Sequence, residues 1–268
     1  MTPEILVTDA TCLGDADALL EDHHVHSTFS DGISTLEENI AEAERAGLHH
    51  LGCVDLVRID TMYVPDYAAA VRRLQPATTI ALSVGIEAKI LDTFGRLDLP
   101  AEGLGGVDRI YAADHQFPWR DGPHSPRTVK TWIDTGQATA GRCIEVLVEA
   151  TIAAMRGNRR HPLVLAHLFS ILPKVGLSEE QVPEALLGRL AAIAAETGTV
   201  VEISERWRCP SHRTIRTLRA AGVTLVCSTD SHAAATIGRY QYVRSTLQEL
   251  AGAQCRSQRA KEWQSNVR

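Results

Sequence analysis

The chain has 268 residues, with 33 acidic against 27 basic side chains and a formal net charge of -6. That balance argues against an extended nucleic-acid-binding surface while allowing a local basic pocket. No uncharged apolar run reaches membrane-spanning length, and Met1-Thr2-Pro3-Glu4-Ile5 carries no basic segment of a secretory signal, so the composition reads as that of an ordinary soluble cytoplasmic protein.

Residues 1–20 show no clear periodicity and form a leader onto the first strand. The stretch Asp22-His23-His24-Val25-His26 then reads as that strand, whose alternation turns His24 and His26 to one face and His23 to the other. Asp31 follows in a Ser-Asp-Gly turn, where Gly32 lets the chain fold back toward the histidines. A helix over 35–46 has Ser34 or Thr35 as N-cap and Gly47 as its stop. A strand over 50–55 and a helix over 67–74 come next. Apolar runs over 80–86 and 107–113 have the character of buried parallel strands, with an excursion over 89–100 between them. One long helical region spans 125–156. A strand over 162–166, a helix over 182–197, a strand over 199–203, a helix over 211–221, a strand over 223–227 and a helix over 240–251 complete the pattern. Strands alternating with helices imply a parallel sheet curled by right-handed crossovers into a barrel. A single domain over 21–252 is expected, with a mobile polar tail over 253–268. The six cysteines, Cys12, Cys53, Cys143, Cys209, Cys227 and Cys255, form no CxxC pair and suit neither a zinc knuckle nor a disulfide scaffold.

In a parallel barrel the strand C-termini gather at one rim, and that rim carries the chemistry. Glu87, Asp114, His115, His167, Asp230 and His232 all follow expected strands. Any one of them alone would read as a helix cap or a solvated loop residue. Together His24, His26, Asp31, Glu87, His115, His167, Asp230 and His232 are the side-chain types that bind divalent metals, scattered in sequence and convergent only if the barrel forms. The other histidines serve as a control. His49, His50 and His161 start their strands at the opposite rim, His124 and His212 sit in polar loops, and all five are expected at the surface; His23 is expected to be packed.

The ordered series HVHSTFSDG from His24, GIE ending at Glu87, DH at His115, AHL around His167 and STDSH ending at His232 resembles the PHP superfamily, named for polymerase and histidinol phosphatase. The resemblance spans about 22–250 and is closest to stand-alone histidinol-phosphatase-like members. It implies a distorted (β/α)7 TIM-like barrel holding two or three divalent ions, Zn, Mn or Fe. By position, His24, His26, Glu87 and Asp230 would hold one ion, Glu87 would bridge to a second held by His115 and His167, and Asp31 and His232 would belong to a third. The family places a further histidine where this chain has Leu56, after Val54-Asp55. The readings open at that point are a two-metal enzyme, a third ion completed by Asp55 or by substrate phosphate, and a site without activity.

Two ions about 3.5–4 Å apart bring the pKa of a shared water to about 7 and clamp the oxygens of an in-line displacement. Phosphate needs further positive charge, for which Arg206 and Arg208, on one side by alternation, Arg239 and Arg58 are candidates. Trp207 and Trp119 either wall the pocket or are core, and Asp230 or His232 would give the leaving group its proton. The expected function is a metal-dependent phosphomonoesterase acting on a small-metabolite phosphate ester. The alternatives are a phosphodiesterase or nuclease of the same superfamily and a metal-binding domain without turnover.

Overall fold

A short 3-10 turn, Ala16–Leu20, leads into the first strand of the computed structural model, which describes residues 16–158 and 163–251. Most of the expected leader, His161, Cys12, Cys255 and the 253–268 tail lie outside the described residues. In chain order the elements are β1 (Glu21–Val25), α1 (Leu36–Arg45), β2 (His50–Leu56), α2 (Val64–Leu74), β3 (Ala81–Lys89), β4 (Arg109–Ala113), β5 (Phe117–Trp119), β6 (Gly122–His124), α3 (Pro126–Asp134), α4 (Ala140–Gly157), β7 (Leu163–Ala166), α5 (Glu184–Thr197), β8 (Val200–Ser204), α6 (His212–Ala220) and β9 (Leu225–Ser228). A last helix, α7, covers 242–251.

Seven strands form one parallel sheet in the order β1-β2-β3-β4-β7-β8-β9, with the helices outside it. Its two edges meet just beyond β1 and β9, where the His26 N–H donates to the Ser231 carbonyl at 2.8 Å. Buried Asp22 reinforces that seam by accepting from the Thr229 N–H at 2.9 Å, the Thr229 hydroxyl at 2.5 Å and the Gly238 N–H at 3.1 Å. The sheet is thereby nearly closed into the TIM-like barrel that the resemblance implies.

Two apolar layers result. Val54, Tyr111, Val164, Val200 and Val226 fill the barrel, while a larger cluster packs the outer faces of the strands against the helices. Gly85 makes room for the Tyr111 ring, since a Cβ there would meet it at 2.7 Å. The helices are set by local chemistry. Thr35 and Glu38 form a reciprocal capping box at the start of α1, and the Asn39 amide donates to the His26 carbonyl at 2.9 Å, tying α1 to the end of β1.

Several expectations are corrected. The 125–156 region is two helices, because the turn 135–139 contains Gly136 at φ 74° and ends in Thr139, which caps α4 through the Arg142 N–H. The β5–β6 hairpin was not expected; its strands are too short for periodicity to show. Glu87 lies inside β3 rather than after it. His50 is buried, 6% exposed, with its ring 4.4 Å from that of His23, whereas His49 is exposed and His124 and His212 are half-buried.

Candidate metal centre

The C-terminal rim is where the ligand-type residues meet. His24 is in β1 and His26 one residue past its end, Glu87 comes from β3, His115 from just after β4, His167 from just after β7, and Asp230 and His232 from the loop after β9. Among the described residues three groups have ligand atoms close enough to share an ion: His24, His26 and Glu87; Glu87, His115 and His167; and His26, Asp230 and His232. Asp31 joins the third, with its carboxylate oxygens 3.2 Å from His26 Nδ1 and 3.4 Å from His232 Nε2. The turn that delivers Asp31 does need Gly32, but for close approach: a Cβ there would lie 2.7 Å from the His26 carbonyl group.

Glu87 stands between the first two groups. Its Oε1 is 2.9 Å from His167 Nε2 and 3.3 Å from His115 Nε2, while Oε2 is 3.7 Å from His26 Nε2 and 4.0 Å from His24 Nε2. Such an arrangement suits a carboxylate that bridges two cations. Carboxylates behind two of the rings fix their orientation. His24 Nδ1 meets Glu202 Oε2 at 2.7 Å, and His167 Nδ1 lies 3.3 Å from Asp114 Oδ1 and 2.9 Å from the Ser170 hydroxyl, so both rings present Nε2 to the centre. A carboxylate holding the far nitrogen of a ligating histidine is the usual support of a metal site. Glu202 also accepts the His167 N–H at 3.3 Å. Sequence reasoning missed Glu202, although an acid in the middle of the apolar strand Val200–Ser204 is a legible signal of a buried partner.

The electrostatics call for a cation. Burial opposes a proton on His26, but Asp230, Asp31 and Glu87 outweigh it and bring the ring up to about 10. Burial likewise opposes protonation of His24 and His167, and Glu202, Glu87 and Asp114 raise both. Burial would raise Glu87, yet His115 and His167 hold it well below the usual carboxylate range, and Asp230 sits at about 2 against the same penalty because of His26. The carboxylates around these buried rings favour a positive charge at this place. His26 Nδ1 and Asp230 Oδ1 are buried without a hydrogen-bond partner, so the donor set fits divalent ions. His167 and Asp230 also have left-handed backbones, φ 32° and 50°, a conformation that non-glycine residues hold at a cost of about 1–3 kcal/mol and that clusters at functional sites.

Leu56 ends β2 and supplies no ligand. Asp55 is committed elsewhere: its carboxylate accepts from the Ser27 N–H at 3.0 Å, the Ser27 hydroxyl at 2.6 Å and the Ser30 hydroxyl at 2.5 Å. The arginines separate. Residues 205–208 form a turn, not an extended segment, so alternation fails there. Arg206 turns inward, its Nη1 donating to His232 Nδ1 and to the Asp230 carbonyl, while Arg208, at φ 53°, lies over the Tyr242 ring. Arg239 lines the same cavity as Arg206, and Arg58 lines a smaller one beside His115. Trp207 stands at the centre, with its Nε1 2.6 Å from Asp230 Oδ2, whereas Trp119 packs on Trp132.

Fold and site together define a parallel barrel with a histidine and carboxylate cluster at its C-terminal rim that could hold metal ions. The chain belongs to the PHP domain family, whose model matches residues 22–206. It is 24% identical to a probable phosphatase of Citrobacter koseri over 239 residues, 85% of each chain. It is 26% identical to a probable phosphatase of Acetivibrio thermocellus over 248 residues, 85% of this chain and 86% of that one. Its fold is similar to that of the histidinol phosphate phosphatase of Lactococcus lactis, solved with zinc, L-histidinol and phosphate, at a TM-score of 0.64 and 16% identity over 85% of this chain and 92% of that one. Among the described residues no helix is long and apolar enough to cross a membrane.

Proposed function

We propose that the protein is a metal-dependent phosphomonoesterase acting on a small-metabolite phosphate ester. The observation that carries this reading is Glu87, whose two oxygens face separate histidine pairs. His24, His26, Glu87 and Asp230 would hold one ion, and Glu87, His115 and His167 a second. A third near Asp31 and His232 lacks a ligand from β2, since Leu56 has none and Asp55 is spent on Ser27 and Ser30. A centre of two ions is therefore favoured, and imidazole with carboxylate accepts Zn, Mn or Fe. When bound, the ions supply an activated water at neutral pH and neutralise phosphoryl charge.

The protein's own groups do the rest. Arg206 presents its guanidinium beside the centre for the phosphoryl oxygens. His232 Nδ1 meets Arg206 Nη1 and lies 3.0 Å from the Asp230 carbonyl, while its Nε2 faces Asp31 at 3.4 Å. Asp230 Oδ2 accepts the Trp207 N–H, and Oδ1, 3.2 Å from His26 Nε2, is the oxygen that would ligate the ion, which removes Asp230 from proton donation. His232 is left as the donor to the leaving oxygen, and the alcohol occupies the cavity of about 490 Å³ that His232 lines. The homologues named as phosphatases support this reading, and the net charge of -6 favours it over a nuclease. Purified protein loaded with Mn or Zn should hydrolyse phosphomonoesters in a panel and leave phosphodiesters intact. Turnover confined to diesters, or none with any metal, refutes it.

A further inference from the structure

The large cavity is lined by Glu205, Arg206, Asp230, His232, Thr236 and Arg239, among others, and its volume of about 490 Å³ suits a compact metabolite. Its acids are already engaged. The Glu205 carboxylate accepts the N–H groups of Tyr242 and Val243, both at 2.9 Å, at the start of α7. Asp230 accepts the Trp207 N–H, and its other oxygen lies 3.2 Å from His26 Nε2. Arg206 and Arg239 are the lining side chains that bring guanidinium donors to the open space.

Arg206 serves the phosphoryl end through its contact with His232. Arg239 is the second cation and is not firmly bound. Its nearest carboxylate, Glu42, is 3.9 Å away and already takes the Arg45 guanidinium at 2.7 Å through Nε. A guanidinium with no saturating partner, on the wall of the cavity assigned to the alcohol half, selects by charge. An ammonium there is repelled, a neutral group leaves the guanidinium to water, and a carboxylate or phosphate gains a two-pronged, charge-assisted contact.

We propose that Arg239 makes this cavity an anion subsite, so that the preferred substrates are phosphate esters whose alcohol half bears its own carboxylate or phosphate, rather than amino-alcohol phosphates. The proposal rests on the phosphomonoesterase reading only for which end of the ligand enters the cavity.

Binding, rather than turnover, tests it. Metal-loaded full-length protein is titrated calorimetrically with propylphosphonate, 3-phosphonopropionate, propane-1,3-bisphosphonate and 3-aminopropylphosphonate. The two doubly anionic probes should bind about tenfold or more tighter than propylphosphonate, and the amine more weakly than it. Whichever of the carboxylate and bisphosphonate probes gains more identifies the second anion. In Arg239→Ala the advantage should collapse toward equality, and in Arg239→Glu the order should reverse; the side chain is 64% exposed, so neither variant threatens the fold. Equal affinity for all probes in the unsubstituted protein, or an anionic preference that survives Arg239→Glu, overturns the subsite and leaves the phosphatase reading intact. A preference that disappears in Arg239→Ala in a protein that hydrolyses no ester upholds the subsite and removes the phosphatase reading. Failure of every phosphonate to bind overturns both.

Discussion

The indole N–H of Trp207 donates to Asp230 Oδ2 at 2.6 Å, leaving Oδ1 of the same carboxylate 3.2 Å from His26 Nε2. Trp207 thereby decides which oxygen of Asp230 faces the histidine cluster, and its ring, 5.5 Å from that of His167, packs against a second ligand-type residue. Replacement by phenylalanine keeps the ring and removes the N–H. Trp207→Phe should weaken metal affinity or lower kcat by about 10–100-fold, the usual penalty for losing a group that supports a ligand. Asp230→Asn, which alters the ligand itself, should abolish turnover beyond that range. Metal titration of both variants beside steady-state kinetics checks the order, and full activity in Asp230→Asn would exclude Asp230 from every role.

Glu202 stands behind His24 as Trp207 stands behind Asp230. Glu202→Gln retains the shape and removes the charge that keeps His24 basic and correctly turned. Metal content after dialysis should fall, with affinity weaker by about 10–100-fold. The metal-free protein should still fold, which circular dichroism can verify.

Cation binding should displace protons. His26, held up to about 10 by its carboxylate neighbours, is protonated at pH 7, and a ligating imidazole must be neutral. Apparent affinity should therefore rise about tenfold per pH unit for each proton displaced, up to the pKa of His26. Calorimetry in two buffers of different ionisation enthalpy counts the protons released. The same ions should raise the melting temperature, since ligand at 100 times its Kd stabilises the native state by about 2.7 kcal/mol.

His50 gives an acid limb at the far end of the barrel. Burial holds its pKa well below the ordinary 6.5, and neither ring nitrogen has a hydrogen-bond partner. As pH falls through 6.5 the unfolded chain takes up a proton that the folded one refuses. Stability is therefore lost on acidification, by up to about 1.4 kcal/mol per pH unit until the folded pKa is reached. Urea unfolding at pH 7 and pH 5.5 should show a smaller drop for His50→Leu than for the unsubstituted protein; equal drops would exclude His50 as the source.

The strand–helix alternation, the rim that gathers the ligand types and the identities of His24, His26, Glu87, His115, His167, Asp230 and His232 were legible in the chain, because each lies at or near the end of a run whose period declares it a strand. The break at Gly136, the β5–β6 hairpin and the burial of His50 were not. The first two fall in segments too short for a period, and the third depends on His23 arriving from the neighbouring strand. Alternation misplaced Arg208 because 205–208 is a turn.

What the sequence determined by itself was which residues end strands and which chemistry they carry, since backbone periodicity and capping are local. Which oxygen of Asp230 faces His26, that Glu202 stands behind His24, and that Glu87 divides its oxygens between two histidine pairs were decided only by the closed barrel. Strand register and stagger across the barrel set those meetings, and no stretch of contiguous sequence encodes them.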